Sequence, residues 1–217
     1  MKYRYIFVDL DNTLLDFEAA EEYSFYYTAQ SRGLSFGETE LERYQAINAP
    51  LWKMMERREI TKEALVVRRF RELFEELGIT GIDPEQYNAD YLNNLALCTR
   101  TIDGAEELCR FIHENGVLII ATNGVSATQH RRIAASGLEP WLDKVVVSDD
   151  AGAEKPDPRY FERAFAVSGA GDKSECIIIG DSLTSDIKGG QQFGIDTCWF
   201  NPKGKALPED MPAPTYT

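Results

Sequence analysis

The chain has 217 residues, 43% hydrophobic and 27% charged, which is the balance of a globular protein able to bury a core and still carry a modest inserted module. Its formal net charge of −13 argues against nucleic acid as a partner, because phosphate backbones are bound through Lys and Arg patches; a small phosphorylated ligand stays open. No apolar stretch approaches membrane length and the N-terminus enters an apolar run without a leader. The four cysteines, Cys98, Cys109, Cys176 and Cys198, are widely spaced. A cytoplasmic protein with reduced thiols and no membrane partner is the expectation.

In chain order, Tyr5-Ile6-Phe7-Val8 reads as a buried parallel strand that ends in the polar loop Asp9-Leu10-Asp11-Asn12-Thr13. Ligands of open α/β sheets bind just beyond such strand ends. Neither Asp9 nor Asp11 has a Lys, Arg or His beside it in sequence, so positive charge must come from elsewhere in the fold or from a bound cation; the plainer alternative is that both merely decorate a turn. From Asp16 to about Cys98 the pattern is helical only, about four helices. In Thr61–Leu77 the apolar positions Val66, Phe70, Leu73 and Leu77 recur at helical spacing, and Asp83-Pro84-Glu85-Gln86 is a helix start.

Beyond Cys98 helix and strand alternate: helix 103–115, strand 117–121, helix 126–136, strand 144–147, helix 158–168, strand 176–179, helix 183–193 and strand 196–200. Repeated units of this kind require a mostly parallel sheet with right-handed crossovers. The second strand ends in Thr122-Asn123-Gly124, a hydroxyl and a tight turn that opens a helix and offers N–H groups to a phosphate. Lys155 is held in a loop by Pro156 and Pro158. The strand Cys176–Ile179 ends in Gly180-Asp181-Ser182, with Asp186 four residues after the serine. His113 and His130 read as surface residues on helices.

The order Asp-x-Asp-x-Thr, apolar strand plus Thr-Asn, Lys-Pro, then Gly-Asp-Ser with a second aspartate resembles the haloacid dehalogenase superfamily of phosphohydrolases, with all four motifs in order. The resemblance implies a Rossmann-like three-layer α/β core (residues 1–15 and 99–217) and an inserted all-helical cap (16–98). It implies that Asp9 is the nucleophile, Asp11 the general acid and base, and Thr122, Asn123 and Lys155 the phosphate ligands. Mg²⁺ is implied on Asp9, the backbone carbonyl of Asp11, and Asp181, with Asp186 nearby or on the helix surface. Asn12 stands where the family often has glycine, a tolerable departure because asparagine accepts left-handed backbone.

Tyr44–Trp52, Arg69-Phe70, Ala121–Ala127 and Asp196–Asn201 are similar to a narrower group, the YjjG-type 5′-nucleotidases of pyrimidine and non-canonical nucleoside monophosphates. That similarity implies a nucleoside 5′-monophosphate substrate. Asn123 and Gly124 would face the substrate, Phe17 or Trp52 would stack on a base, and Asn48 or Arg69 would read polar groups; packing within the cap is the plainer role for Phe17 and Trp52. Other small-molecule phosphatases, acting on phosphoglycolate or a sugar phosphate, and a sugar-phosphate mutase share the motifs. A haloacid dehalogenase lacks the second aspartate, a receiver domain has no large helical insert, and a pure binding module has little use for the full set. The family usually continues into a last helix after Pro212–Thr217, which leaves a longer gene product open.

Overall fold

The computed structural model describes residues 2–217. Strand β1 (Tyr5–Val8) sets the layering. Its alternate side chains point to opposite faces, so Ile6 and Val8 join one core with Leu118, Ile120, Cys109, Ile112 and Ile133, while Tyr5 and Phe7 join another with Ile119, Tyr160, Phe161 and Phe193. After β1 come four helices, α1 (Phe17–Ser31), α2 (Glu38–Glu56), α3 (Lys62–Leu77) and α4 (Pro84–Leu95). The chain then alternates through α5 (Ala105–Asn115), β2 (Val117–Thr122), α6 (Ser126–Ala135), β3 (Lys144–Val147), the short α7 (Ser148–Ala151), α8 (Pro158–Ser168), β4 (Cys176–Gly180), α9 (Lys188–Phe193) and β5 (Asp196–Trp199).

Among the described residues the sheet has five strands in the order β3-β2-β1-β4-β5, every pair parallel. Chain order runs from β1 outward to β2 and β3, then returns to β4 and β5 on the other side of β1. The switch point of a doubly wound sheet therefore lies at the carboxyl end of β1, where ligands of such sheets bind. Val8 is level with Ile120 of β2 and Ile179 of β4, so Asp9 emerges beside the ends of both neighbours. This is the three-layer Rossmann-like α/β core. The outer edge of β5 is covered by the extended tail: the Trp199 N–H donates to the Tyr216 carbonyl at 2.8 Å and the Tyr216 N–H to Thr197 at 2.9 Å. Pairing an edge strand in this way hides its open backbone groups.

The chain divides into two compact units, one comprising residues up to Phe17 with Thr99–Thr217 and the other Glu18–Cys98. The second unit is all-helical. Thr61 caps α3 by accepting from the Ala64 N–H at 3.3 Å, and Asp83 caps α4 by accepting from the Glu85 N–H at 3.0 Å, with Pro84 at the first helical position. Its interior is aromatic, with Phe25, Tyr44, Phe70, Phe74, Tyr87 and Tyr91 packed ring against ring. Arg69 is buried among these rings; its guanidinium donates to Tyr44 Oη at 3.1 Å and Asn88 Oδ1 at 3.0 Å.

One expected element differs. The helix over 183–193 is instead a π turn, Leu183–Ile187, followed by the shorter α9. Ser182 caps this turn, its hydroxyl accepting from the Ser185 N–H, and its carbonyl takes the N–H groups of both Asp186 and Ile187, which widens the turn. Strand β5 ends at Trp199, and α5 starts after Gly104, which adopts φ +84°. No helix among the described residues is long and apolar enough to cross a membrane. All four cysteines are free, Cys109 and Cys176 buried. His113 and His130 lie on exposed faces near Asp143 and Asp150.

Candidate active site

The loop after β1 turns sharply. Asn12 sits in the left-handed region at φ +58°, as its short polar side chain allows, and its Oδ1 accepts from the Phe17 N–H at 3.1 Å. The turn lifts Asp9 and Asp11 to the sheet end. Lys155 reaches the same place from the loop between α7 and α8. That loop is fixed by Asn123, whose side chain accepts from the Lys155 N–H and donates to the Lys155 carbonyl, both at 2.8 Å. The Lys155–Pro156 bond is cis.

Lys155 is the centre of the cluster. Its ammonium, 1% exposed, donates to Asp9 Oδ1 at 2.6 Å, Asp186 Oδ1 at 2.7 Å and the Ala121 carbonyl at 2.6 Å. Burial works against its charge, but Asp186 and Asp9 outweigh that and hold it protonated well above the ordinary range. Asp186 is fully buried, and its Oδ2 accepts from the Ser182 N–H at 3.1 Å. Gly180 makes this possible, because a Cβ there would overlap the Asp186 carboxylate.

The carboxylates outnumber the cations. Burial, opposed by Lys155 and reinforced by Asp186, Asp181 and Asp11, pushes the Asp9 carboxyl well above the usual range. Burial and Asp186 push Asp181 up to about 7. Carboxylate oxygens of Asp9, Asp181 and Asp186 lie within 4.8 Å of one another. Against the four aspartates stand Lys155 and Arg132. An all-oxygen donor set with this excess of negative charge fits a small hard divalent cation such as Mg²⁺.

Thr122, also buried, accepts at Oγ1 from the Gly124 N–H at 3.2 Å and from Gln129 Nε2 at 2.8 Å. Asp11 faces two residues that the sequence reading did not single out: Arg132 Nη1 donates to its Oδ1, and Gln129 Nε2 donates to its Oδ2 at 2.7 Å. Both stand on α6 about 120 residues downstream, in a Gln-His-Arg-Arg run that looks like a solvent face. The available signal was their three-residue spacing on the helix that Thr122-Asn123-Gly124 opens.

The expected substrate residues fall in both units. Phe17 is half-buried beside the Arg132 guanidinium, 5.8 Å from its ring centroid, and Asn123 and Gly124 adjoin Thr122. Asn48, Trp52 and Arg69 belong to the helical unit. Asn48 is buried there, giving Nδ2 to Glu21 Oε1 at 3.0 Å and accepting at Oδ1 from Trp52 Nε1 at 3.1 Å and from Arg69. Arg69, at 2% exposure, directs its guanidinium into this same network. Trp52 is half-buried.

The family model of haloacid dehalogenase-like hydrolases matches residues 3–194. The HAD-hydrolase YfnB of Bacillus subtilis is 37% identical over 212 residues, 97% of this chain and 90% of YfnB. Its crystal structure bound to magnesium superposes with a TM-score of 0.92 at 36% identity, covering 100% of this chain and 94% of that one. The pyrimidine 5′-nucleotidase PynA of Streptococcus pneumoniae is 37% identical over 93% of this chain and 85% of its own length. The pyrimidine 5′-nucleotidase YjjG of Escherichia coli is 34% identical over 100% and 94%. With a matching fold, an aspartate-lysine cluster at the switch point and a family match across most of its length, the chain belongs to the haloacid dehalogenase-like hydrolases.

Proposed function

We propose that this protein is a Mg²⁺-dependent phosphomonoester hydrolase that forms an aspartyl phosphate on Asp9, with nucleoside 5′-monophosphates, pyrimidines first, as its substrates. The observation that carries the reading is the Lys155 ammonium held between Asp9 and Asp186 at a strand end shared with Thr122 and Asp181. Such a site binds a carboxylate nucleophile and a phosphoryl group together, and phosphoryl transfer depends mostly on positioning and charge neutralisation.

In this reading Lys155 engages Asp9 Oδ1, and the other carboxylate oxygen attacks phosphorus. A P–O bond forms to Asp9 as the bond to the leaving oxygen breaks, and Asp11 gives that oxygen its proton. Water then attacks the same phosphorus, its proton passes to Asp11, and the Asp9 carboxylate is restored with release of inorganic phosphate. Thr122 and the Asn123 N–H orient the phosphoryl oxygens. Asp9, Asp181 and the Asp11 carbonyl would hold Mg²⁺, with Asp186 acting through Lys155 or a water; the cation supplies charge neutralisation at carboxylates and phosphate.

The substrate class draws support from PynA and YjjG, both named pyrimidine 5′-nucleotidases, and the metal from the magnesium-bound YfnB structure. Phe17 and Trp52 are assigned the base. Asn48 and Arg69, whose polar atoms are engaged within the helical unit, are assigned to holding Trp52. A phosphate-release screen of nucleotides, sugar phosphates and phosphoglycolate tests this, with and without chelator. Pyrimidine monophosphates should lead, chelation should silence release and Mg²⁺ restore it. A hexose phosphate or phosphoglycolate that outruns every nucleotide sinks the nucleotidase assignment, and full activity after exhaustive chelation sinks the metal.

A further inference from the structure

The Gln129 side-chain amide touches two working groups at once. Its Nε2 is 2.7 Å from Asp11 Oδ2 and 2.8 Å from Thr122 Oγ1, and its Oε1 accepts from Arg132 Nη1 at 3.0 Å. Arg132 Nη1 also donates to Asp11 Oδ1. Both side chains are buried, Gln129 to 1% and Arg132 to 0% exposure. The amide orientation is physically determined, because a flipped amide would set its oxygen against the Asp11 carboxylate and its NH₂ against the guanidinium. An NH₂ group has two hydrogens, and here each has one acceptor.

Two consequences follow for the chemistry. Thr122 Oγ1 accepts from Gln129 and from the Gly124 N–H, so its own hydrogen is turned toward other acceptors, which is the orientation a phosphoryl oxygen needs. Asp11 has one carboxylate oxygen on each α6 residue, which fixes the plane of the carboxylate. The local sequence provides the room: a Cβ on Gly124 would overlap Gln129 Cδ, Nε2 and Cγ. A glycine in the phosphate-facing turn thus admits a side chain from the helix that the turn begins.

We propose that Gln129 and Arg132 are positioning residues for phosphoryl transfer, the Gln129 amide orienting the Asp11 carboxylate and the Thr122 hydroxyl together while Arg132 locks that amide. This rests on the reading of Asp11 as general acid. The readout is kcat/KM, which covers steps through departure of the leaving group, for p-nitrophenyl phosphate and for the alkyl phosphate that the wild type cleaves best. The aryl leaving group needs little proton donation and the alkyl one needs it fully.

In Gln129→Leu the alkyl-to-aryl ratio of kcat/KM should fall about tenfold or more, part of the 10²- to 10⁴-fold a positioned acid supplies, and KM for both esters should rise as Thr122 loses its orientation. Arg132→Lys should lower the ratio less. Gly124→Ala, which displaces Gln129 without removing a polar group, should reproduce the Gln129→Leu ratio, and it carries the test if Gln129→Leu does not fold. Asp11→Asn is measured in parallel. If Asp11→Asn lowers the ratio but the α6 and Gly124 variants lose both esters equally, or neither, the positioning role is overturned and the acid role stands. If Asp11→Asn leaves the ratio unchanged, the acid reading falls and the proposal with it.

Discussion

Asp181 shows how much charge the site leaves uncompensated. Its carboxyl is raised from an ordinary 3.8 to about 7 by burial and by Asp186, so in the cation-free protein its contribution to stability is complete below about pH 4 and is lost as pH rises through about 7. A cation binds the ionised form and competes with that proton. Mg²⁺ affinity measured by titration calorimetry should therefore weaken by tenfold or more per pH unit below about 7, since the carboxyl of Asp9, a second proposed ligand, is also held above the usual range. An affinity that does not change between about pH 5 and pH 8 would contradict this picture of the cluster.

At the same scale, what could be read in the sequence was the chemistry that sits next to its own backbone signal. Asn12 was legible as left-handed because asparagine is one of the few residues that accept it, and it is found there at φ +58°. The missing positive charge beside Asp9 and Asp11 was legible as a gap to be filled by a bound cation and, among side chains, by Lys155. Arg132 was not, because a polar run on a helix carries no mark of facing inward; its burial is decided by a partner 121 residues away.

At the scale of elements, a few close approaches matter more than helix propensity. The 183–193 segment reads in sequence as one helix, yet Ser182 accepts and donates within the first turn, and a π turn buries Asp186 beneath Gly180. Gly180→Ala would set a methyl against that carboxylate. It should lower unfolding free energy by about 1–3 kcal/mol and kcat by tenfold or more, since the partner lost is a buried charge; wild-type activity and melting temperature would show that Asp186 has room to move. In the helical unit, Arg69 satisfies Tyr44, Asn48 and Asn88 together. Arg69→Met should cost about 1–3 kcal/mol in denaturant unfolding, because it leaves buried polar groups without partners. No loss of stability in that variant would mean the network reorganises around a replacement.

For the whole molecule, the topology does most of the functional work. Four strand ends that are far apart in sequence meet because β1 is flanked by β2 and β4, and the motif order made that convergence readable before any coordinates. The substrate was less readable, since the helical unit is recognised by its periodicity, which specifies its packing and leaves its ligand open. Trp52→Ala should raise KM for nucleotides more than for p-nitrophenyl phosphate, lowering the ratio of the two kcat/KM values. A flat ratio removes Trp52 from base recognition.

The covalent step proposed on Asp9 is tested most directly by rapid acid quench of Asp11→Asn with p-nitrophenyl phosphate, whose leaving group needs little proton donation; the variant retains the proposed nucleophile and loses the group proposed to activate water, and peptide mass spectrometry follows. The expected result is a transient phosphoryl group on the peptide that contains Asp9, discharged by hydroxylamine and absent in Asp9→Asn, which should itself be inactive. Turnover of Asp9→Asn at the wild-type rate, or phosphate release by Asp11→Asn with no phosphorylated protein at any time, would contradict it.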